Sequence, residues 1–287
     1  MFFLKCIVFT GIFFAVHLMR AESALAWGPG VHTVTALGVL NSIGSILPAI
    51  SKIITSFPIE YLYGSLAADF FIGKSKLRQG QRPHNWEGGF KLLNEAADEK
   101  EAAFAYGFLS HLAADVAAHN LFVPNLINSR HTWKRKVHLY WEIRADYLLG
   151  PGYTKIARGI LNMDHRGCDE LLYLKTGKWR KGLKAQKQLF TQSVRLSEYL
   201  YTTHNVFFTG RLVRRQGFYN YFASMVAVSC RLVKDLLRHP DSSPCLMYDP
   251  MGKQVLRLAK QQKPSMKSLH TRQPIQQFKL DQELLNL

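Results

Sequence analysis

The stretch at residues 99–120 constrains this chain more than any other. It is rich in alanine, holds no proline, and reads as a single helix of about six turns. Within it, SHLAADVAAHN places His111, Asp115 and His119 at i, i+4 and i+8. Each step of four drifts only about 40° around the axis, so the three share one face. Leu, Ala and Val fill the intervening positions. Such a helix packs closely, yet it must dispose of two imidazoles and a carboxylate, which are costly to bury without partners. In a chain of this length and composition the pattern H-x3-D-x3-H arises by chance about 0.015 times.

The remaining pattern is helical as well. Residues 34–54 read as two short helices broken by Gly38, Gly44 and Pro48, and Pro58 opens another through residue 68. Residues 85–97 start a helix at Asn85. Residues 133–149 form a second strong helical pattern, closed by Gly150-Pro151-Gly152. Helical periodicity returns at 169–175, 183–203 and 219–238. No alternating strand run, hairpin signal or internal repeat occurs, so an all-α bundle is expected. From 241 to 287 the pattern weakens and Ser, Pro, Gln and Lys become prominent, which reads as a basic, weakly ordered tail.

The first 26 residues read as a secretory signal. One early Lys precedes an apolar run at 6–16, and Ala24-Leu25-Ala26 matches a cleavage site. The run is too short to span a bilayer as a helix. Export to the periplasm or the exterior is the expectation. Cleavage after Ala26 would make Trp27 the new N-terminus, and an α-amine with a pKa of about 7.7–8 binds metal at little protonation cost. Of the cysteines, Cys168, Cys230 and Cys245 would remain, allowing at most one bridge, with Cys230–Cys245 as the candidate pair. Thirty-seven Lys and Arg against 20 Asp and Glu give a net charge of +17. That balance favours an anionic partner such as phospholipid, phosphate ester or nucleic acid. Basic runs at 178–187 and 211–215 read as solvated faces or as a footprint for such a partner.

Further metal donors surround the two strong helices. HLYWEIRADYLL repeats the i, i+4 arrangement at His138 and Glu142. His32 follows Trp27 by five residues in WGPGVH. Asp69 stands among apolar and small residues in YGSLAADFFIG, and His84 closes the loop RQGQRPH. His165 and Asp169 also match H-x3-D, but their surroundings (NMDHRGC) read as a loop, and about 0.8 matches to H-x3-[DE] arise by chance. Nitrogen and oxygen donors of this kind suit zinc, with no cysteine required.

The order Trp27, His32, Asp69, His84, His111, Asp115, His119, His138, Glu142 resembles the zinc-dependent phospholipase C family, whose ligand order is shared by the S1/P1-type nucleases. The resemblance covers residues 27–149. It implies an all-α helical domain over 27–240, enclosing a trinuclear zinc site. Asp69, His84, His111 and Asp115 would hold one ion. His119, His138 and Glu142 would hold a second. The Trp27 amine and carbonyl, His32 and Asp115 would hold a third, with Asp115 bridging. It implies hydrolysis of a phosphoric diester, with Asp69 orienting or deprotonating the nucleophile. Three residues separate Asp115 from His119, where secreted phospholipases and these nucleases carry five. That spacing is similar to the branch containing the glycosylphosphatidylinositol-specific phospholipase D, so the head group and the bond cleaved do not follow. A phospholipid-like substrate is the first expectation, with peripheral contact to an anionic membrane. A single-strand nuclease is the second, since no aromatic platform for bases stands beside the ligand motifs. A noncatalytic zinc- and lipid-binding protein is the third. Nothing in the sequence points to a protein partner.

Overall fold

A computed structural model describes residues 27–71, 84–128, 145–176, 180–203 and 216–261. The described residues form α1 (Pro29–Leu40), α2 (Pro48–Ser56), α3 (Pro58–Ala67), α4 (Trp86–Asn94), α5 (Glu99–Ala117), α6 (Val123–Asn128), α7 (Pro151–Leu161), α8 (Arg166–Thr176), α9 (Arg180–Thr203), α10 (Gln216–Arg238) and α11 (Lys253–Gln261). No strand occurs among them, and the fold is an all-α bundle. None of the described helices is long and apolar enough to cross a membrane.

The bundle is built around α5. Asp98 caps its start by accepting from the Glu101 amide at 2.8 Å, while the Glu101 carboxylate accepts from the Ala97 amide at 2.9 Å. From Ala103 to Ala117 nearly every residue is buried, because α2, α3, α4 and α10 all pack against this helix. A helix enclosed on every side belongs to the centre of a domain. The ionisable trio of the sequence motif therefore lies in the interior.

The tightest crossing is that of α3 over α5. A Cβ on Gly64 would overlap the Phe104 carbonyl oxygen, and a Cβ on Gly107 would overlap the Tyr61 carbonyl oxygen. Two glycines facing each other let the backbones approach this closely. Tyr61 bridges the same crossing with its hydroxyl 3.1 Å from Ser110 Oγ. On the opposite flank α10 packs against α5 and α1.

Several expectations change. Gly150-Pro151-Gly152 ends one helix, but Pro151 is also the first residue of α7, a position where a missing amide costs nothing. Cys168, Cys230 and Cys245 are all free thiols, so the candidate Cys230–Cys245 bridge is not formed. Burial pushes the Cys245 thiol up to about 12. The stretch around His165 is not all loop: His165 directly precedes α8, Asp169 lies in its first turn, and both join a brace between helices. Tyr63 donates its hydroxyl to Asp169, Lys187 lies 2.7 Å from the same carboxylate, and the His165 ring stacks on Tyr63. The segment read as a tail is packed over its first part, with a 3-10 turn at Pro244–Met247, helix α11, and buried Cys245, Leu256 and Ala259. Its remainder, like the signal segment and the 211–215 run, lies outside the described residues.

Candidate metal centre

Helix α5 ends at Ala117 and continues as a π segment, Ala118–Phe122. The uninterrupted helix to residue 120 is thus replaced at His119 by a wider turn, a feature often found at functional sites. His111 and Asp115 project from the regular part and His119 from the wide turn. Three other chain segments deliver donors to the same place. His32 lies on α1, Asp69 on the 3-10 turn Ala68–Phe71 that continues α3, and His84 directly before Asn85, the cap of α4. Asn85 accepts from the Gly88 amide at 2.7 Å, which fixes the entry of that helix.

All six side chains are buried. They converge on Asp115. Its Oδ1 lies 3.5 Å from His32 Nε2, and its Oδ2 lies 3.4 Å from His84 Nε2, 3.3 Å from His111 Nε2 and 3.7 Å from His119 Nε2. Asp69 Oδ1 stands 3.5 Å from His111 Nε2. Burial alone would raise the Asp115 carboxyl; His111, His32 and His84 reverse this and hold it well below the usual carboxylate range.

These spacings fit a metal better than they fit a hydrogen-bond network. Two ligands each about 2.05 Å from a tetrahedral zinc ion lie about 3.3 Å apart. Most of the donor pairs stand near that separation, beyond good hydrogen-bonding range. His111 stands at the meeting point of the set, and its pair with His84 is the one within hydrogen-bonding range. Its Nδ1 lies 2.9 Å from the Ser65 carbonyl and donates to it, so Nε2 presents a lone pair. His84 Nε2 faces that lone pair at 2.9 Å. Two imidazole nitrogens aimed at one point are stable when a cation lies between them or a proton is shared. Both ring nitrogens of His32, and Asp115 Oδ1, lack a hydrogen-bond partner among the described residues. His32, Asp69 and His111 form one group whose ligand atoms all lie within 4.8 Å of one another, and His84, His111 and Asp115 form another. The donor set suits zinc.

Trp27 lies beside this cluster. It is fully buried, its indole N–H donates to the Ala114 carbonyl at 3.1 Å and to Ser229 Oγ at 2.9 Å, and its ring packs on Phe122. His138 and Glu142 lie outside the described residues. The sequence reading missed three supports. The Ser65 carbonyl and Ser229 carry no sequence signature. Asp146 does carry a faint one, because it extends His138 and Glu142 by a further step of four. Asp146 is buried, and its carboxylate accepts from the Gly30 amide at 2.9 Å and the Val31 amide at 3.0 Å, in the first turn of α1 beside His32. Burial pushes its carboxyl up to about 7 against the pull of those two bonds.

No curated protein and no solved structure shows significant similarity to the chain. A family model described as zinc dependent phospholipase C matches residues 31–210, more than half of the chain, a range that includes all six converging donors. With its helical bundle and its buried histidine–aspartate cluster, the chain belongs to the zinc-dependent phospholipase C family.

Proposed function

We propose that the protein is an exported zinc-dependent hydrolase of phosphoric diesters acting on phospholipid-like substrates. The observation that carries this reading is the convergence of His32, His84, His111 and His119 on the two oxygens of Asp115, in a chain of this family. Asp69, His84, His111 and Asp115 would hold one zinc. His119 would hold a second with His138 and Glu142, and His32 a third with Asp115 and the Trp27 amine. Bound zinc supplies Lewis acidity and a nucleophilic water at neutral pH.

The chain's own residues set the rest. The Ser65 carbonyl accepts from His111 Nδ1, which turns the Nε2 of that ring toward the cluster. Asp115 stays ionised and offers each oxygen to a different side of the cluster. Asp69 would orient or deprotonate the attacking water. The six described donors are buried, which strengthens the charge interactions among them. The basic excess favours an anionic membrane surface as the place of work. Assays of the mature protein on phosphatidylcholine, single-stranded DNA and a soluble phosphodiester test the reading. Turnover of the lipid and the soluble ester is expected. Preference for DNA would make it a nuclease, and no turnover at all would make it a noncatalytic binder.

Signal cleavage belongs to the same reading. The Trp27 indole is anchored to the carbonyl just before Asp115, which keeps the start of the mature chain at the site. With Ala26 attached, the Trp27 nitrogen is an amide whose lone pair is delocalised, a poor ligand. Protein starting at Trp27 should hold more zinc than protein starting Gly-Trp27. Equal zinc content and equal rates would remove Trp27 from the ligand set.

A further inference from the structure

The family match ends at residue 210, and every donor named above precedes residue 143. Yet a segment more than a hundred residues later reaches the cluster's edge. The Tyr248 carbonyl accepts the indole N–H of Trp86 at 2.8 Å, and the next carbonyl, that of Asp249, accepts the side-chain amide of Asn120 at 3.0 Å. Trp86 stands two residues after His84, and Asn120 directly follows His119. The Asn120 amide also donates to the Val116 carbonyl at 3.0 Å, so one side chain spans α5 and the late segment.

Gly252 closes the contact. Its φ of 52° lies in the left-handed region, and a Cβ there would stand 2.5 Å from the His119 carbonyl oxygen and 2.7 Å from the His119 Cβ. Glycine alone meets both demands. The turn is held from within by Asp249, whose carbonyl accepts from the Gly252 amide at 2.9 Å and whose carboxylate accepts from the Met251 and Lys253 amides at 3.0 and 3.2 Å. Helix α11 follows and anchors the segment by packing on α6 and on the π segment. The contacts fall on the wide turn that carries His119, where the regular α-helical ladder is broken.

We infer that residues 248–252 are a positioning strap. They press on the backbone of His119 and tie it to the segment bearing His84, setting the separation of two ligand-bearing pieces of chain. The inference rests on the zinc-hydrolase reading and adds to it a part of the chain outside the family match.

The test uses the full mature chain and three substitutions: Gly252→Ala, Asn120→Ala, and Gly44→Ala as a control at a glycine with open space around it. Zinc per chain is measured by elemental analysis after dialysis against graded chelator. Helix content by circular dichroism, and kcat and KM on a soluble phosphodiester, are measured on the same samples. The two strap variants should keep wild-type helix content, lose zinc at a chelator concentration roughly 10- to 100-fold lower, and lose kcat with little change in KM. The control should match wild type. A chain ended after Met247 should behave like the strap variants; if it fails to fold, the single substitutions still decide. Wild-type chelator resistance in both strap variants overturns the strap while leaving the zinc reading intact. A wild-type protein that holds no zinc overturns the zinc reading, and the strap's role with it.

Discussion

The two ends of the described chain brace the same helix by different means. At the N-terminal end, polar groups do the holding. The Asp146 carboxylate grips two amides at the start of α1, and the Trp27 indole donates to Ala114 and Ser229. At the C-terminal end, the holding groups are two backbone carbonyls and a glycine pressed on His119. One brace costs the burial of a carboxylate, and the other costs a left-handed residue. Both act on Asp115, through His32 at one oxygen and His119 at the other.

The largest effect should come from removing the point where the two ends meet. Asp115→Ala should lower activity by more than the roughly 100-fold lost when a residue that only supports a metal ligand is removed, and should lose more zinc than His119→Ala. Equal zinc losses in the two variants would argue that Asp115 serves one ion only.

The N-terminal brace comes next. Asp146→Ala leaves the Gly30 amide without its acceptor, while the Val31 amide keeps the Gly28 carbonyl at 3.0 Å, and should cost about 2 kcal/mol of stability, part of the lost bonding being offset by removal of a buried carboxylate. Its pH dependence carries a sign. Burial raises the Asp146 carboxyl above its unfolded value, so its contribution is present below about pH 4 and is lost as pH rises through about 7. Denaturation of metal-free protein should therefore show a steeper fall in stability across that window for wild type than for Asp146→Asn. Parallel curves would mean that Asp146 does not titrate in it.

The difference between the braces also explains what the sequence shows and hides. His111, Asp115 and His119 are legible because helical spacing puts them on one face, and their burial follows from the alanines around them. The π segment is hidden, since the same residues can close either kind of turn and tertiary contacts decide between them. Helix α7 is obscured because Pro151 reads as a stop, although at a first helical position it is a start. Trp27 stands out beside a cleavage motif. Tyr248–Gly252 does not, because backbone carbonyls have no letter in the sequence, and Pro250 and Gly252 read as loop composition. The free thiols follow the same logic: Cys230 and Cys245 are near in sequence, but only packing shows that each is separately occupied, Cys245 lying 3.2 Å from Ser243 Oγ.

The smallest effect belongs to the outer contact of the strap. Trp86→Phe keeps most of the ring and loses the single bond to the Tyr248 carbonyl, so about 1 kcal/mol of stability should go, and zinc should leave at a chelator concentration lower than for wild type but higher than for Gly252→Ala. A loss as large as that expected for Asp146→Ala would put the two braces on an equal footing.

Zinc content tests the central claim most directly. Elemental analysis of gently purified protein beginning at Trp27, with its N-terminal mass verified, should give three zinc ions per chain. A reproducible value of one or less would contradict the trinuclear centre.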